Sequence, residues 1–93
     1  MKREIVTLNG RVQGVGFREA IVALARVFPV SGSVRNLRTE RAVEIDLEGE
    51  SADIDAFVVE LIAHPPGFAR IEGIDRREAP TRGTVGFERA PTG

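Results

Sequence analysis

Apolar and polar positions alternate with a period of two from residue 4 to residue 12: Val6, Leu8, Gly10 and Val12 share one parity, and Thr7, Asn9 and Arg11 the other. Successive side chains of a strand point to opposite faces, so this segment predicts a strand with one covered face. From Phe17 the spacing changes to Ala20, Ile21, Leu24 and Phe28, a helical stripe brought to a close by Pro29 and Gly32. A second strand is predicted over Val30–Leu37. A turn at residues 39–41 then leads into AVEIDLEG, where Val43, Ile45 and Leu47 alternate strictly with Glu44, Asp46 and Glu48. That alternation predicts one buried face and one wet face. Ser51 is placed to cap the next helix, with Asp53 and Asp55 in its electropositive first turn. Ile54, Phe57, Val58, Leu61 and Ile62 supply that helix with its apolar stripe, and HPPG at residues 64–67 stops it. Residues 69–78 and 84–90 predict a fourth strand and a short fifth one joined through Pro80 and Gly83, although Arg76 and Arg77 sit poorly in an apolar strand.

The order β, α, β, β, α, β predicts an α+β fold of the split-βαβ, ferredoxin-like kind, an antiparallel sheet with two helices on one face. Residues 1–93 suffice for one modest core and read as a single domain, with about residues 88–93, ending in APTG, expected to fray. Right-handed crossovers make the first two strands run the same way with the third between them, so their C-terminal ends share one edge of the sheet.

Composition narrows the function. Thirteen basic residues against fourteen acidic give a net charge of -1, which argues against a general affinity for nucleic acid or for an anionic membrane. Any anion must therefore be caught locally. Cysteine is absent, which removes disulfides and thiolate chemistry, and no run approaches the roughly 18 apolar residues of a membrane span. A cytoplasmic monomer is expected. His64, the single histidine, sits at a helix end where a dipole contact suffices. Asp53 and Asp55 are helix-start residues, and Glu44, Asp46 and Glu48 a solvated strand face, so no metal site is expected. The same topology carries RNA-recognition domains, but VEIDLEG has no aromatic on which a base could stack.

The chemistry concentrates in GRVQGVGFREA. QGVGF leaves the C-terminal end of the first strand and enters a helix N-terminus, where backbone N–H groups lack partners and the dipole is positive. Glycine at positions 14 and 16 lets that loop take φ > 0 and lets amides approach a ligand closely. Arg18 in the first helical turn is electrostatically misplaced unless an anion lies there, in which case it becomes a fork-shaped clamp. A Gly-x-Gly before a helix is by itself equally a plain tight turn. Asn36 adds to it: its parity with Gly32 and Val34 turns its amide to the helix-covered face, at the same edge as the glycine loop, where it can hold a water beside a bound phosphate.

GRVQGVGFR and VSGSVRNL, together with GFER near the end, resemble the acylphosphatase family, and the resemblance runs through most of the chain. It implies a small ferredoxin-like enzyme that hydrolyses acyl phosphates to a carboxylate and inorganic phosphate without metal or cofactor. It further implies that Arg18 binds the phosphoryl group, that Asn36 orients the attacking water, and that Gln13, Gly14, Val15, Gly16 and Phe17 form the backbone cradle. The partners so implied are a small-molecule acyl phosphate and inorganic phosphate as product and competing ligand. The alternative is a catalytically idle domain of the same shape that holds a phosphorylated or carbamoylated ligand. Glu19, the turn RTER and Arg76 depart from the family pattern. The first places a carboxylate beside the cradle, and the last a charge in the fourth strand.

Overall fold

The alternating residues Lys2–Arg11 form strand β1, and the chain continues through α1 (Phe17–Ala25), β2 (Val30–Leu37), β3 (Ala42–Gly49), α2 (Ser51–Ala63), β4 (Arg70–Ala79) and β5 (Phe87–Arg89). The computed structural model describes residues 1–93 except 15, 39, 40 and 68. The strands are ordered β4-β1-β3-β2-β5. β1 is antiparallel to β3 and β4, β2 is antiparallel to β3, and β5 joins β2 in parallel. Hence β1 and β2 point the same way, and both deliver their C-terminal ends to one edge.

Val6, Leu8 and Val12 of β1, Val34 of β2 and Val43, Ile45 and Leu47 of β3 present one face of the sheet to Ile21 of α1 and to Ile54, Phe57 and Leu61 of α2, all with no exposed surface. Full burial of one such side chain contributes about 1.5–3 kcal/mol. This is the α+β, ferredoxin-like arrangement expected from the sequence, with both helices on one face.

Several local expectations are corrected. α1 ends at Ala25 rather than Phe28, because Pro29 disfavours a helical conformation at the residue before it. Val27 N instead bonds Leu24 O at 3.0 Å in a tightened last turn, and the Phe28 ring packs edge-on against Phe57 with centroids 5.8 Å apart. At α2 the N-cap is Glu50, with extended torsions and no side-chain cap, and Ser51 is already helical. β3 stays in register with β2 and β1 up to Gly49, which leaves Glu50 as the residue where the chain turns. Ile62, expected in the stripe of α2, is 41% exposed. Phe68 lies outside the described residues.

The acidic face of β3 is not wet. Asp46 and Glu48 are only 8% and 3% exposed, because residues 80–86 cross that face. Glu48 accepts the backbone N–H groups of Arg82, Gly83 and Thr84 at 3.0, 2.8 and 3.3 Å, and these bonds hold its carboxyl below the ordinary carboxylate range. Asp46 accepts from Arg3 at 2.9 and 2.8 Å and from Arg82 at 2.7 Å. The C-terminal residues, expected to fray, run along β2: Ala90 N bonds Val34 O at 2.8 Å, Gly93 N bonds Asn36 O at 3.0 Å, and Arg38 N bonds Gly93 O at 2.7 Å.

Arg76 is accommodated by charge. It stands opposite Val6 on β1 and donates to both carboxylate oxygens of Glu4, at 2.7 and 3.0 Å, and to Asp55 of α2 at 2.7 Å. Glu4 is 4% exposed, and its hydrogen bonds to Arg76 hold its carboxyl below the ordinary 4.5. A carboxylate depressed on folding contributes stability that is present above its unfolded value and is lost as pH falls through the lower folded value. Stability is therefore expected to drop below about pH 4.5, and Glu4→Gln should shrink the difference between urea midpoints measured at pH 7 and pH 3. An unchanged difference would remove Glu4 from the acid-labile groups.

Candidate active site

β1 delivers the chain to its C-terminal edge, where residues 13–16 turn it into α1. Gly14 and Gly16 have φ of 73° and 72°, the left-handed region that costs other residues roughly 1–2 kcal/mol. A Cβ at either position would meet no described atom within 4 Å, so the torsion and not crowding calls for glycine. The same fact means that the loop faces open space. Gly16 caps α1 with no side-chain bond, and the first helical bond recorded there runs from Ala20 N to Gly16 O at 3.2 Å. The amides of Phe17, Arg18 and Glu19 are thus left without intrahelical acceptors at the positive end of the helix. Val15 lies outside the described residues.

Arg18 is half-buried in that first turn and makes no hydrogen bond or ion pair with any described residue. Arg3, Arg35, Arg76, Arg82 and Arg89 by contrast all face carboxylates. Glu19, the neighbouring acid, is not available to Arg18 as a direct partner because it pairs with Arg89 at the end of β5. Its carboxyl is held low first by its own backbone amide and then by the charges of Arg89 and Arg18. The carboxylate that threatened an anion site is thereby occupied.

Asn36 lies two residues after the buried Val34 and opposite Val43, with its side chain on the helix-covered face. Its Oδ1 is buried and accepts no hydrogen bond from any described residue. A buried acceptor left unpaired costs about 1–3 kcal/mol, so it signals a donor supplied from outside the chain. Gln13 fastens the two halves together: its Nε2 donates to Leu37 O at 3.0 Å and to Ala42 O at 2.8 Å, which ties the loop after β1 to the residue beside Asn36 and to the start of β3. Among the described residues the edge therefore gathers amides without intrahelical acceptors, a guanidinium without a hydrogen bond or ion pair, and an unpaired amide oxygen.

The acylphosphatase family profile matches residues 4–89. The chain belongs to the acylphosphatase family. It is 44% identical to "Acylphosphatase" of Rubrobacter xylanophilus over 88 residues, covering 94% of this chain and 78% of that protein. An acylphosphatase structure from Bacillus subtilis superposes with a TM-score of 0.88 at 31% identity, over 97% of this chain and 99% of that one. A structure of full-length HypF in a phosphate- and nucleotide-bound form superposes with a TM-score of 0.89 at 30% identity, over 98% of this chain but 12% of that much longer one.

Family membership makes the protein a hydrolase. Sequence reasoning placed Gln13 in the cradle through its backbone and missed the anchoring role of its amide. The signal available was weak, a single amide side chain at a strand end. The Glu19–Arg89 pair was also missed, because GFER gives no indication that β5 runs beside the start of α1. His64 ends α2 with Nδ1 3.2 Å from Glu60 Oε2, an exposed pair one helical turn apart. Among the described residues no group of three His, Cys, Asp or Glu side chains is arranged to hold a metal ion. No described helix is long and apolar enough to cross a membrane.

Proposed function

We infer that the protein hydrolyses the carboxyl–phosphate bond of small acyl phosphates, with the amides of residues 13–17 and the Arg18 guanidinium holding the phosphoryl group and Asn36 holding the water. The observation that carries this reading is the buried Asn36 Oδ1, unpaired among the described residues, at the sheet edge where the positive end of α1 and Arg18 also lie. A water donating one hydrogen to Oδ1 keeps its lone pair turned to phosphorus. Its oxygen forms the new bond to phosphorus while the bond to the acyl oxygen breaks, and the electron pair leaves on a carboxylate, already a good leaving group. The second water proton passes to a phosphoryl oxygen, so the products are a carboxylate and inorganic phosphate. In a loose transition state charge spreads over the equatorial oxygens, and two parallel N–H bonds from Arg18 with the loop amides stabilise it without a side-chain nucleophile.

Inorganic phosphate, sharing the phosphoryl group, is expected to compete with substrate and to raise the melting temperature by mass action. Titrated into labelled protein, it should shift the amides of Gly14, Val15, Gly16 and Phe17 most. Shifts confined to other regions would sink the cradle. We further infer a monomer acting in the cytoplasm; the net charge of -1 accords with a small-molecule substrate rather than nucleic acid or an anionic membrane. A second reading is a catalytically idle domain that holds a phosphorylated or carbamoylated ligand, the same shape being found as 12% of the longer HypF. Release of phosphate from a model aryl acyl phosphate, measured with and without chelator, separates the two.

A further inference from the structure

The helices cover one face of the sheet, and on the other face a cavity of about 510 Å3 opens over the N-terminal half of β1. That volume lies within the range of small-molecule sites. Ile5 is buried at its floor and is the register partner of both Arg77 on β4 and Asp46 on β3, so the three form one row across the sheet. Arg35 and Glu44 pair one row further along, and Arg82 enters from the strap of residues 80–86. The small side chains of Ala79 and Ala90 leave the space open.

The walls are basic. Arg3, Arg35, Arg77 and Arg82 stand against Glu44 and Asp46, a net +2 in a protein whose total is -1. Both acids are already engaged: Asp46 accepts two bonds from Arg3 and one from Arg82, and Glu44 accepts Arg35 Nε at 3.0 Å. These bonds fix where the guanidinium groups stand without saturating them. Each guanidinium has five N–H donors, of which Arg35 and Arg82 use one apiece and Arg77 none on any described residue. The unused donors fall into two groups. Arg77 rises from β4 and Arg82 is held over Asp46 on β3, two strand spacings or ~10 Å away, with the apolar side chain of Ile5 midway.

We propose that this cavity binds a small dianion, two carboxylate or phosphate groups joined by a short carbon body. One oxyanion takes the Arg77 fork, the other takes the unused donors of Arg35 and Arg82, and the carbons lie on Ile5. A single inorganic phosphate is too short to join both poles. The site is separate from the cradle, since Asn36 and the start of α1 belong to the opposite face and no described residue of 13–18 lines the cavity. It stands whether or not the protein hydrolyses acyl phosphates.

The test titrates linear dicarboxylates from malonate to suberate, and monocarboxylates of the same chain lengths, into labelled protein in phosphate-free buffer. Affinity should pass through a maximum within the diacid series, and the best diacid should bind tighter than its monoacid by about tenfold or more, the contribution of a second charge-assisted bond. The amides of Ile5, Ser33, Asp46, Arg77 and Arg82 should shift, and those of Gly14 and Gly16 should not. The preference should shrink as ionic strength rises from about 0.01 M to about 0.15 M, which shortens the screening length from ~30 Å to ~8 Å. Arg77→Gln, which removes an exposed side chain with no described partner, should bring diacid and monoacid to within a few-fold of each other. Arg18→Ala should leave diacid affinity within a few-fold of wild type. A parallel series of alkane bisphosphonates distinguishes the two oxyanions: length-dependent binding of either series at these amides supports the site, and the tighter series names the group it takes. Absence of a length optimum in both series, a diacid preference that survives Arg77→Gln, or diacid binding lost in Arg18→Ala would overturn it.

Discussion

Arg18→Ala is expected to lower kcat/KM for a model acyl phosphate by about 10²–10³, the scale on which a preorganised transition-state donor acts. Arg18→Lys should lose nearly as much, because an ammonium is a point charge and cannot reproduce two parallel N–H bonds to the equatorial oxygens. Both variants should also bind inorganic phosphate more weakly. The fold should not suffer. Arg18 makes no hydrogen bond or ion pair with a described residue, and its charge opposes the positive end of α1, an unfavourable contact of about 0.3–1 kcal/mol. The alanine variant is therefore expected to melt at the wild-type temperature or slightly above it. Its small helping effect on Glu19, whose carboxyl it helps to hold low, is secondary to that of the Glu19 amide and Arg89. A lysine variant with near wild-type turnover would replace the bidentate clamp by simple charge attraction, and a large loss of stability in the alanine variant would show that Arg18 has a structural partner.

The features legible in the sequence are those fixed by local periodicity. Parity alone places Val6, Leu8 and Val12, and Val43, Ile45 and Leu47, on the covered face, and it turns Asn36 the same way as Val34. The left-handed torsions of Gly14 and Gly16 are likewise local, set by how a strand end must turn into a helix. Alternation reports only that two faces differ in polarity, however, and not that the polar one meets water. Asp46 and Glu48 are buried because a segment more than thirty residues later in the chain brings Arg82 and three backbone amides onto them. Only Pro80 and Gly83 marked the joint between the fourth and fifth strands, and neither tells that it crosses β3. Arg76 looked like a strand defect for the same reason: its partners, Glu4 and Asp55, lie 72 and 21 residues away along the chain. The tie from Gln13 to Leu37 and Ala42 spans 24 and 29 residues, and no spacing rule expresses it.

The sharpest separation of roles concerns Asn36, which has water to hold where Arg18 has an anion. Asn36→Ala is expected to lower kcat by roughly two or more powers of ten, the scale of losing a positioning group, while the dissociation constant of inorganic phosphate stays within a few-fold of wild type. Stability should be kept or even gained. The Oδ1 atom is buried with no described partner, so its removal relieves an unpaired polar group worth about 1–3 kcal/mol and offsets the small void that alanine leaves. The backbone of residue 36, which accepts Gly93 N at 3.0 Å, is untouched by the substitution. The measurement sets kcat for a model acyl phosphate beside phosphate affinity and thermal midpoint, on wild type and variant at the same salt. Loss of phosphate binding in step with activity would make Asn36 part of the anion clamp. Retained turnover would leave the buried amide oxygen of Asn36 with no part in catalysis, and the water would have to be held by another group.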